Sequence, residues 1–453
     1  MHIAFVTAGG AGMFCGSCMQ DNDLSRALIR QGCEVSLIPT YTPIRVDQEN
    51  VASSRVFLGG INLYLDNTLP GWRYLPRWLV SWLDHPSIIR MATARGIEND
   101  AAKLGSMTLA MLAGSAGAMQ REYRELVHYL VHLKPDLILF TNALLSGVLP
   151  DLRKQYKGPI ACLLQGDDLF LESLSPCYRQ LAREKITSHA RLFDRFITHS
   201  RFYARHIGAY LNLPSEKFSL LPLSIAPFAE SAGIAPAQSS PAAEPRGDQR
   251  PVPPMLPYRI GYFARIAPEK GLLELVRATR LLHEAGLPVE LHAGGYLGKS
   301  CLAYMHAVER EAVALDGRFH YAGSPRDASE KYAFLRRLDV FSVPVTYPEP
   351  KGLYVLEALS AGVPVVLPRR GSLPELVEST QGGLLFIPGD PSDHARALRQ
   401  LLENPEEHRK CADLGRAAVA RYHSTHHAAE VFTDICRELV ESASRQGNLP
   451  NSP

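Results

Sequence analysis

The sequence predicts an α/β protein made of two doubly wound, Rossmann-like halves. Three observations predict it. Apolar runs alternate with helical periodicity from Ile3 to about Ser200, the same alternation restarts at Tyr258, and a stretch of different composition separates the two series. Strands divided by helices join in parallel, and a parallel sheet with helices on both faces follows.

The first series opens with Ile3 to Ala8 as a strand, a Gly-rich loop, a helix around Asp23 to Gln31 and a second strand from Glu34 to Pro39. Residues 55–65 read as a hairpin-like pair. Asp136 to Thr141, Ile160 to Gln165 and Arg195 to Ser200 then read as strands, each followed by a helical or turn pattern. From Ala229 to Pro257 the chain carries seven prolines and no aromatic residue, so it cannot bury enough surface to order itself and reads as a flexible insertion. The second series takes Arg259 to Phe263, Val289 to Gly294, Phe319 to Ala322, Val340 to Val343 and Val363 to Leu367 as strands, with a helix from Leu272 to Ala285. A closing helix from His426 to Ser444 places Ala429, Phe432, Ile435, Cys436 and Leu439 on one face.

Size and charge narrow the classes of function. At 453 residues there is room for two or three domains, and a formal net charge of +2 gives no general electrostatic case for nucleic acid. The chain starts directly on a strand pattern, and no apolar run reaches the roughly 20 residues of a membrane span. A cytoplasmic protein is the expectation. Eight cysteines scattered along the chain fit reduced thiols better than a disulfide framework.

Several motifs could carry chemistry. "VTYPEPKGLYVLEALSAGVPVV", Val345 to Val366, reads as strand end, turn, helix, Gly stop and strand, with Glu349 and Glu357 eight residues apart. A helix N-terminus at a strand's carboxyl edge suits an anion. "YFARIAPEKG" supplies Arg265 and Lys270 just after a strand, where a diphosphate would meet fixed cations; elsewhere such a pair would be solvated surface charge.

The opening loop "TAGGAGMFCGSC" offers Gly9, Gly10, Gly12 and Gly16 for close backbone approach. Its spacing differs from the dinucleotide fingerprint, and "IPTY" lacks the acidic ribose ligand, so an NAD(P)-dependent oxidoreductase is the second reading. Cys15 and Cys18 form a lone C-x-x-C, either a redox pair at a helix start or two small thiols lining a loop. "LLQGDDLF" sets Gln165, Gly166, Asp167 and Asp168 at a strand end, as hydroxyl ligands, a base, or caps of the next helix. Trp72, Trp78 and Trp82 share one segment with Arg73 and Arg77. That segment could touch a membrane interface, line a hydrophobic acceptor groove, or pack as a helix on its own domain.

Taken together, Glu349 and Glu357 with "LEALSAGVPVV" and "GSLPELVE", the companion "FARIAPEKG", "LRRLDVFSVPV", "THSRFYARHI" and "KFSLLPLSI" resemble the retaining nucleotide-sugar glycosyltransferases of family 4. The resemblance covers nearly the whole chain. It implies the GT-B fold, two Rossmann-like domains facing a cleft. It also implies an N-terminal acceptor-side domain over residues 1–228, on which the helix 425–445 packs back, a Pro-rich insertion at 229–256, and a nucleotide-sugar-binding domain over 257–424. By the resemblance, Glu349 would lie beside the donor sugar hydroxyls and Glu357 at the ribose. Gly352, Leu353 and Tyr354 would present N–H groups to sugar or phosphate, and Arg265 with Lys270 would neutralise the departing diphosphate. No metal or other cofactor is expected.

Two departures stand out. Pro350-Lys351 precedes Gly352 where the family often has Phe-Gly, so Lys351 would add a charge near the sugar, and Gln165-Gly-Asp-Asp stands where the family often has His. Gln165 and Asp167 are therefore the acceptor or sugar candidates, with Gly10 and Gly12 near the donor. The expected partners are a nucleotide-sugar and a hydroxyl acceptor, which could be a glycan, a lipid-linked compound or a small molecule. A noncatalytic nucleotide-sugar-binding protein is the further alternative.

Overall fold

The computed structural model describes residues 1–8, 16–40, 44, 46, 49–53, 57, 101–117, 119–226 and 256–447. The chain divides into two units, Met1–Pro222 with His426–Pro453, and Leu223–Thr425. Most of the hairpin-like stretch at 55–65 and nearly all of the Pro-rich insertion lie outside the described residues, as do Gly10, Gly12, Cys15, Trp72, Trp78 and Trp82.

In the first unit β1 (His2–Thr7), β2 (Glu34–Pro39), β3 (Leu137–Phe140), β4 (Ile160–Leu163), β5 (Arg195–Thr198) and β6 (Phe218–Leu220) form one sheet in the order β2-β1-β3-β4-β5-β6. Every pair is parallel. The central strands read "LILF" and "IACL" and are buried at every position, as strands covered on both faces must be. Alternation splits their side chains between two cores. Ala4, Val6, Ile138 and Phe140 face one, while Ile3, Phe5, Leu137 and Leu139 face the other. The final helix, Thr425–Gly447, closes the second core with Ala429, Phe432, Ile435, Cys436 and Leu439, and the Phe432 ring lies 5.7 Å from that of Phe5.

The second unit repeats the plan. Strands β7 (Tyr258–Phe263), β8 (Val289–Gly294), β9 (Phe319–Tyr321), β10 (Val340–Phe341), β11 (Val365–Pro368) and β12 (Gly383–Phe386) lie in the order β12-β11-β10-β7-β8-β9. All pairs are again parallel. Helices Leu272–Glu284 and Pro391–Glu403 pack their apolar faces on this sheet, and Asp390 caps the latter by accepting from Ser392 N and Asp393 N.

The structure adds two strands that the sequence pattern does not announce, β6 and β12. Both are short, half-exposed edge strands, which lack the continuous apolar run of a buried strand. At β12 the glycine is structural, because a Cβ on Gly383 would come within 1.9 Å of Val365 O on the neighbouring strand. The first helix begins at Gly16, seven residues before the expected Asp23, since its first turns bury Gln20, Asp21 and Asn22 and so carry no apolar periodicity.

In both sheets the strand order reverses at a pair of adjacent strands, β1 and β3 in the first, β7 and β10 in the second. Loops leaving the carboxyl ends of such a pair diverge and leave a crevice, which is where open α/β sheets bind ligands.

Candidate active site

The second unit places both candidate motifs at its switch point. Lys270 lies in the loop after β7 and Glu349 in the loop after β10, and these two strands are hydrogen-bonded neighbours. Gly271 lets the loops close on each other: its φ is +75°, and a Cβ there would lie 2.0 Å from Pro344 O. Thr346 N then donates to Glu269 O at 2.9 Å. Gly371 does the same over Glu349, where a Cβ would come within 2.4 Å of both Glu349 N and O, and Ser372 N donates to Glu349 O at 2.8 Å.

The side chains meet around one carboxylate oxygen. Glu349 Oε2 accepts from Lys270 Nζ at 2.8 Å, from the Tyr347 hydroxyl at 2.7 Å and from the Tyr354 hydroxyl at 3.1 Å. Lys270 Nζ also donates to Tyr347 OH at 2.5 Å and lies 4.9 Å above the Tyr347 ring. Among the described residues the other oxygen, Oε1, receives one long bond, from Lys351 N at 3.4 Å. Glu349 is 4% exposed. Burial pushes its carboxyl up, but the Lys270 ammonium and the Lys270 and Tyr347 hydrogen bonds outweigh that and hold it below the usual carboxylate range. The same burial and the adjacent carboxylate drive the Tyr347 and Tyr354 hydroxyls well up, so both remain donors.

Gly352, at φ +90°, precedes the helix Leu353–Ser360, whose first turn holds Leu353 and Tyr354. Glu357 lies further along this helix and pairs with Lys331 at 2.8 Å. Each glutamate of the motif thus has its own lysine. Arg265 is set apart from both pairs: it is exposed and forms an ion pair with Glu269. Sequence reasoning missed Tyr347 and Lys331. Tyr347 could have been found, since it stands two residues before Glu349 in the same loop. Lys331 has no local signal, because it comes from a different helix, Ala328–Leu335.

In the first unit, Gln165 and Asp167 follow β4 and are both buried. Gln165 Nε2 donates to Asp21 Oδ1 at 3.0 Å, and Asp21 Oδ2 accepts from Thr7 Oγ1 at 2.9 Å. Asp167 accepts two backbone amides, Ala143 N at 2.6 Å on Oδ1 and Gln165 N at 3.1 Å on Oδ2. It does not cap the helix Asp167–Glu172, whose N-cap is Gly166 with no side-chain bond. Instead it ties the exit of β4 to the exit of β3. Burial raises the Asp167 carboxyl to about 6, against the opposing pull of the two amides. Asp168 accepts from Tyr203 OH at 2.6 Å and contacts His206 Nε2 at 3.0 Å. Cys18 is buried in the first unit's core. Among the described residues, no helix is long and apolar enough to cross a membrane, and nothing described supports membrane contact through the tryptophan segment.

Residues 248–418 match the sequence model of the glycosyl transferases group 1 family. That segment contains Arg265, Lys270, Lys331, Tyr347, Glu349 and Glu357. Among curated relatives, a D-inositol 3-phosphate glycosyltransferase of Corynebacterium jeikeium is 30% identical over 203 residues, 43% of this chain and 48% of its own length. A 2-deoxystreptamine glucosyltransferase of Streptomyces kanamyceticus is 34% identical over 171 residues, 38% of this chain and 43% of its own. The chain therefore spans about half or less of the length of these relatives.

Solved structures extend the likeness to nearly the whole chain. Sucrose-phosphate synthase from Thermosynechococcus elongatus superposes with a TM-score of 0.66 at 18% identity, covering 97% of this chain and 99% of its own. An Anabaena protein solved in complex with UDP gives 0.64 at 16%, covering 97% and 100%. At such identity the likeness shows the fold, which is the two-domain GT-B architecture with one parallel six-stranded sheet in each unit.

Proposed function

We propose that the protein is a glycosyltransferase that moves a sugar from a nucleoside-diphosphate donor to a hydroxyl acceptor, with retention at the anomeric carbon and without a metal. The observation that carries this reading is the asymmetry of Glu349. One of its oxygens is saturated by a lysine and two tyrosines, while the other, among the described residues, receives only a 3.4 Å bond and keeps acceptor capacity. A carboxylate held ionised in this way accepts hydrogen bonds from sugar hydroxyls. Lys270, with three N–H donors, spends one on Glu349 and one on Tyr347 and has a third for a phosphate oxygen.

In the reaction, the bond between the anomeric carbon and the diphosphate oxygen breaks, and the electron pair leaves with the diphosphate. Lys270 and Arg265 stabilise that charge, the role a divalent ion plays elsewhere. The acceptor oxygen forms its bond to the same face of the anomeric carbon, and its proton passes to an oxygen of the diphosphate. Glu357 holds the ribose hydroxyls, with Lys331 fixing its carboxylate. Gly352, Leu353 and Tyr354 offer the first-turn N–H groups at the positive helix end, and Lys351 adds charge beside the sugar. Uridine diphosphate is the first nucleotide to test, since the Anabaena neighbour is described as a UDP complex.

A thermal-shift panel of UDP, GDP, ADP and their sugar conjugates, run with a chelator, tests the reading on wild type and Glu357→Ala. One nucleotide family should raise the wild-type Tm as RT ln(1 + [L]/Kd) and lose its effect in the variant. A shift with nicotinamide dinucleotides alone would favour an oxidoreductase, and a shift that needs a divalent ion would remove the metal-independent part.

A further inference from the structure

The edge of the second sheet carries a cluster that the transferase reading does not use. Glu290 and His292 are two residues apart on β8 and therefore point to the same face, and His320 on the edge strand β9 is the register partner of His292. Their ligand atoms all lie within 4.8 Å of one another. His292 Nε2 is already 3.0 Å from Glu290 Oε2, and the two imidazole rings are 4.8 Å apart. The cluster faces outward, with Glu290 and His292 half-buried and His320 exposed.

We propose that Glu290, His292 and His320 form a binding site for a zinc-class divalent transition-metal ion that clasps strand β9 to strand β8. Two imidazoles and one carboxylate, with a water in the fourth position, satisfy a borderline ion of tetrahedral preference. Ligand atoms about 2.1 Å from such an ion stand about 3.4 Å from each other, so a cluster whose ligand atoms lie within 4.8 Å needs a small adjustment to close on it. The second carboxylate oxygen can remain in water. The group opposing a bound cation is Arg259, the register partner of Glu290 on β7, whose guanidinium reaches Arg337 O at 3.5 Å. The site shares no residue with the Lys270 and Glu349 cluster, so it is independent of the transfer chemistry.

The test is a competition titration of Zn(II) against a chromophoric chelator, using the full chain stripped of metal, with Co(II) absorption as a report of coordination geometry. Wild type should take up one ion at this site, show a tetrahedral Co(II) spectrum, and gain Tm with zinc. Affinity should fall at least tenfold in His320→Ala and in Glu290→Gln. The adjacent pair His128 and His132, with ring centroids 3.8 Å apart on the helix Gln120–Leu133, is the internal control, and His132→Ala should leave the measured affinity unchanged. Absence of zinc binding to wild type, or binding that survives His320→Ala, overturns the proposal, and so does loss of the tight ion in His132→Ala instead.

Discussion

Two buried carboxylates at strand exits, Glu349 in one unit and Asp167 in the other, are held in opposite ways. Glu349 is surrounded by a lysine and two tyrosine hydroxyls and lies below the usual carboxylate range, whereas Asp167 is surrounded by backbone amides and is raised to about 6. The difference bears on which of the two suits the proposed donor site. A side-chain cage can be opened by a ligand that offers substitute partners. Bonds from backbone amides tie one loop to another and cannot be exchanged without moving the chain. The family match has the same asymmetry, covering residues 248–418 around Glu349, while the first unit is matched through the fold.

The largest expected effect breaks the Glu349 cage. Lys270→Met leaves a buried carboxylate without its cation, and Glu349→Gln leaves the ammonium without its anion. Each should lower stability by about 3 kcal/mol in chemical denaturation and reduce turnover by roughly 100-fold or more. The double variant Lys270→Met with Glu349→Gln should recover about 2 kcal/mol relative to the sum of the two, because neither unpaired charge remains. Strict additivity would mean that the pair at 2.8 Å is not coupled in solution.

The two acids should also differ in their pH dependence. The folded-state value of Asp167, about 6, is above its unfolded value of 3.8, so the folded chain holds that proton more tightly. Stability from this group is present at low pH and is lost as pH rises from about 4 to 6, by about 3 kcal/mol. Glu349 is lowered, so its contribution is present above its unfolded value and is lost as pH falls through the folded one. Denaturation curves between pH 4 and 7 should show the falling component in wild type and in Glu349→Gln, and its removal in Asp167→Asn. An unchanged profile in Asp167→Asn would contradict the environment described for it.

Smaller effects sharpen the picture. Tyr347→Phe removes a hydroxyl that bridges Lys270 and Glu349, and should cost about 1 to 2 kcal/mol of stability and about tenfold in turnover. Arg265→Ala should change stability by less than about 1 kcal/mol, since its ion pair with Glu269 is exposed. It should nevertheless weaken diphosphate binding when measured by calorimetry. Equal binding by wild type and Arg265→Ala would confine the phosphate role to Lys270.

Much of this was legible in the sequence because parallel strands covered on both faces are continuous apolar runs. Leu137–Phe140, Ile160–Leu163 and Val365–Pro368 were visible in that way, while Phe218–Leu220 and Gly383–Phe386, short and half-exposed at sheet edges, were not. The candidates that share one loop, Glu349 with Gly352, Leu353 and Tyr354, came from the resemblance to the family 4 transferases. Residues that arrive from a distant element were not legible. Lys331 reaches Glu357 from another helix, and Asp21 meets Gln165 across 144 positions of sequence. The first turns of the helix Gly16–Arg30 were hidden for a related reason: polar residues buried on polar partners look like loop until the partners are known.

The most direct measurement is calorimetric titration of the nucleoside diphosphate selected by the thermal-shift panel into wild type, Lys270→Ala and Asp167→Asn. Loss of a cation that contacts phosphate should weaken binding at least tenfold in Lys270→Ala, while Asp167→Asn, altered at a loop tie in the other unit, should bind within about twofold of wild type. Binding that survives Lys270→Ala but is lost in Asp167→Asn would contradict the account and move the nucleotide site to the first unit.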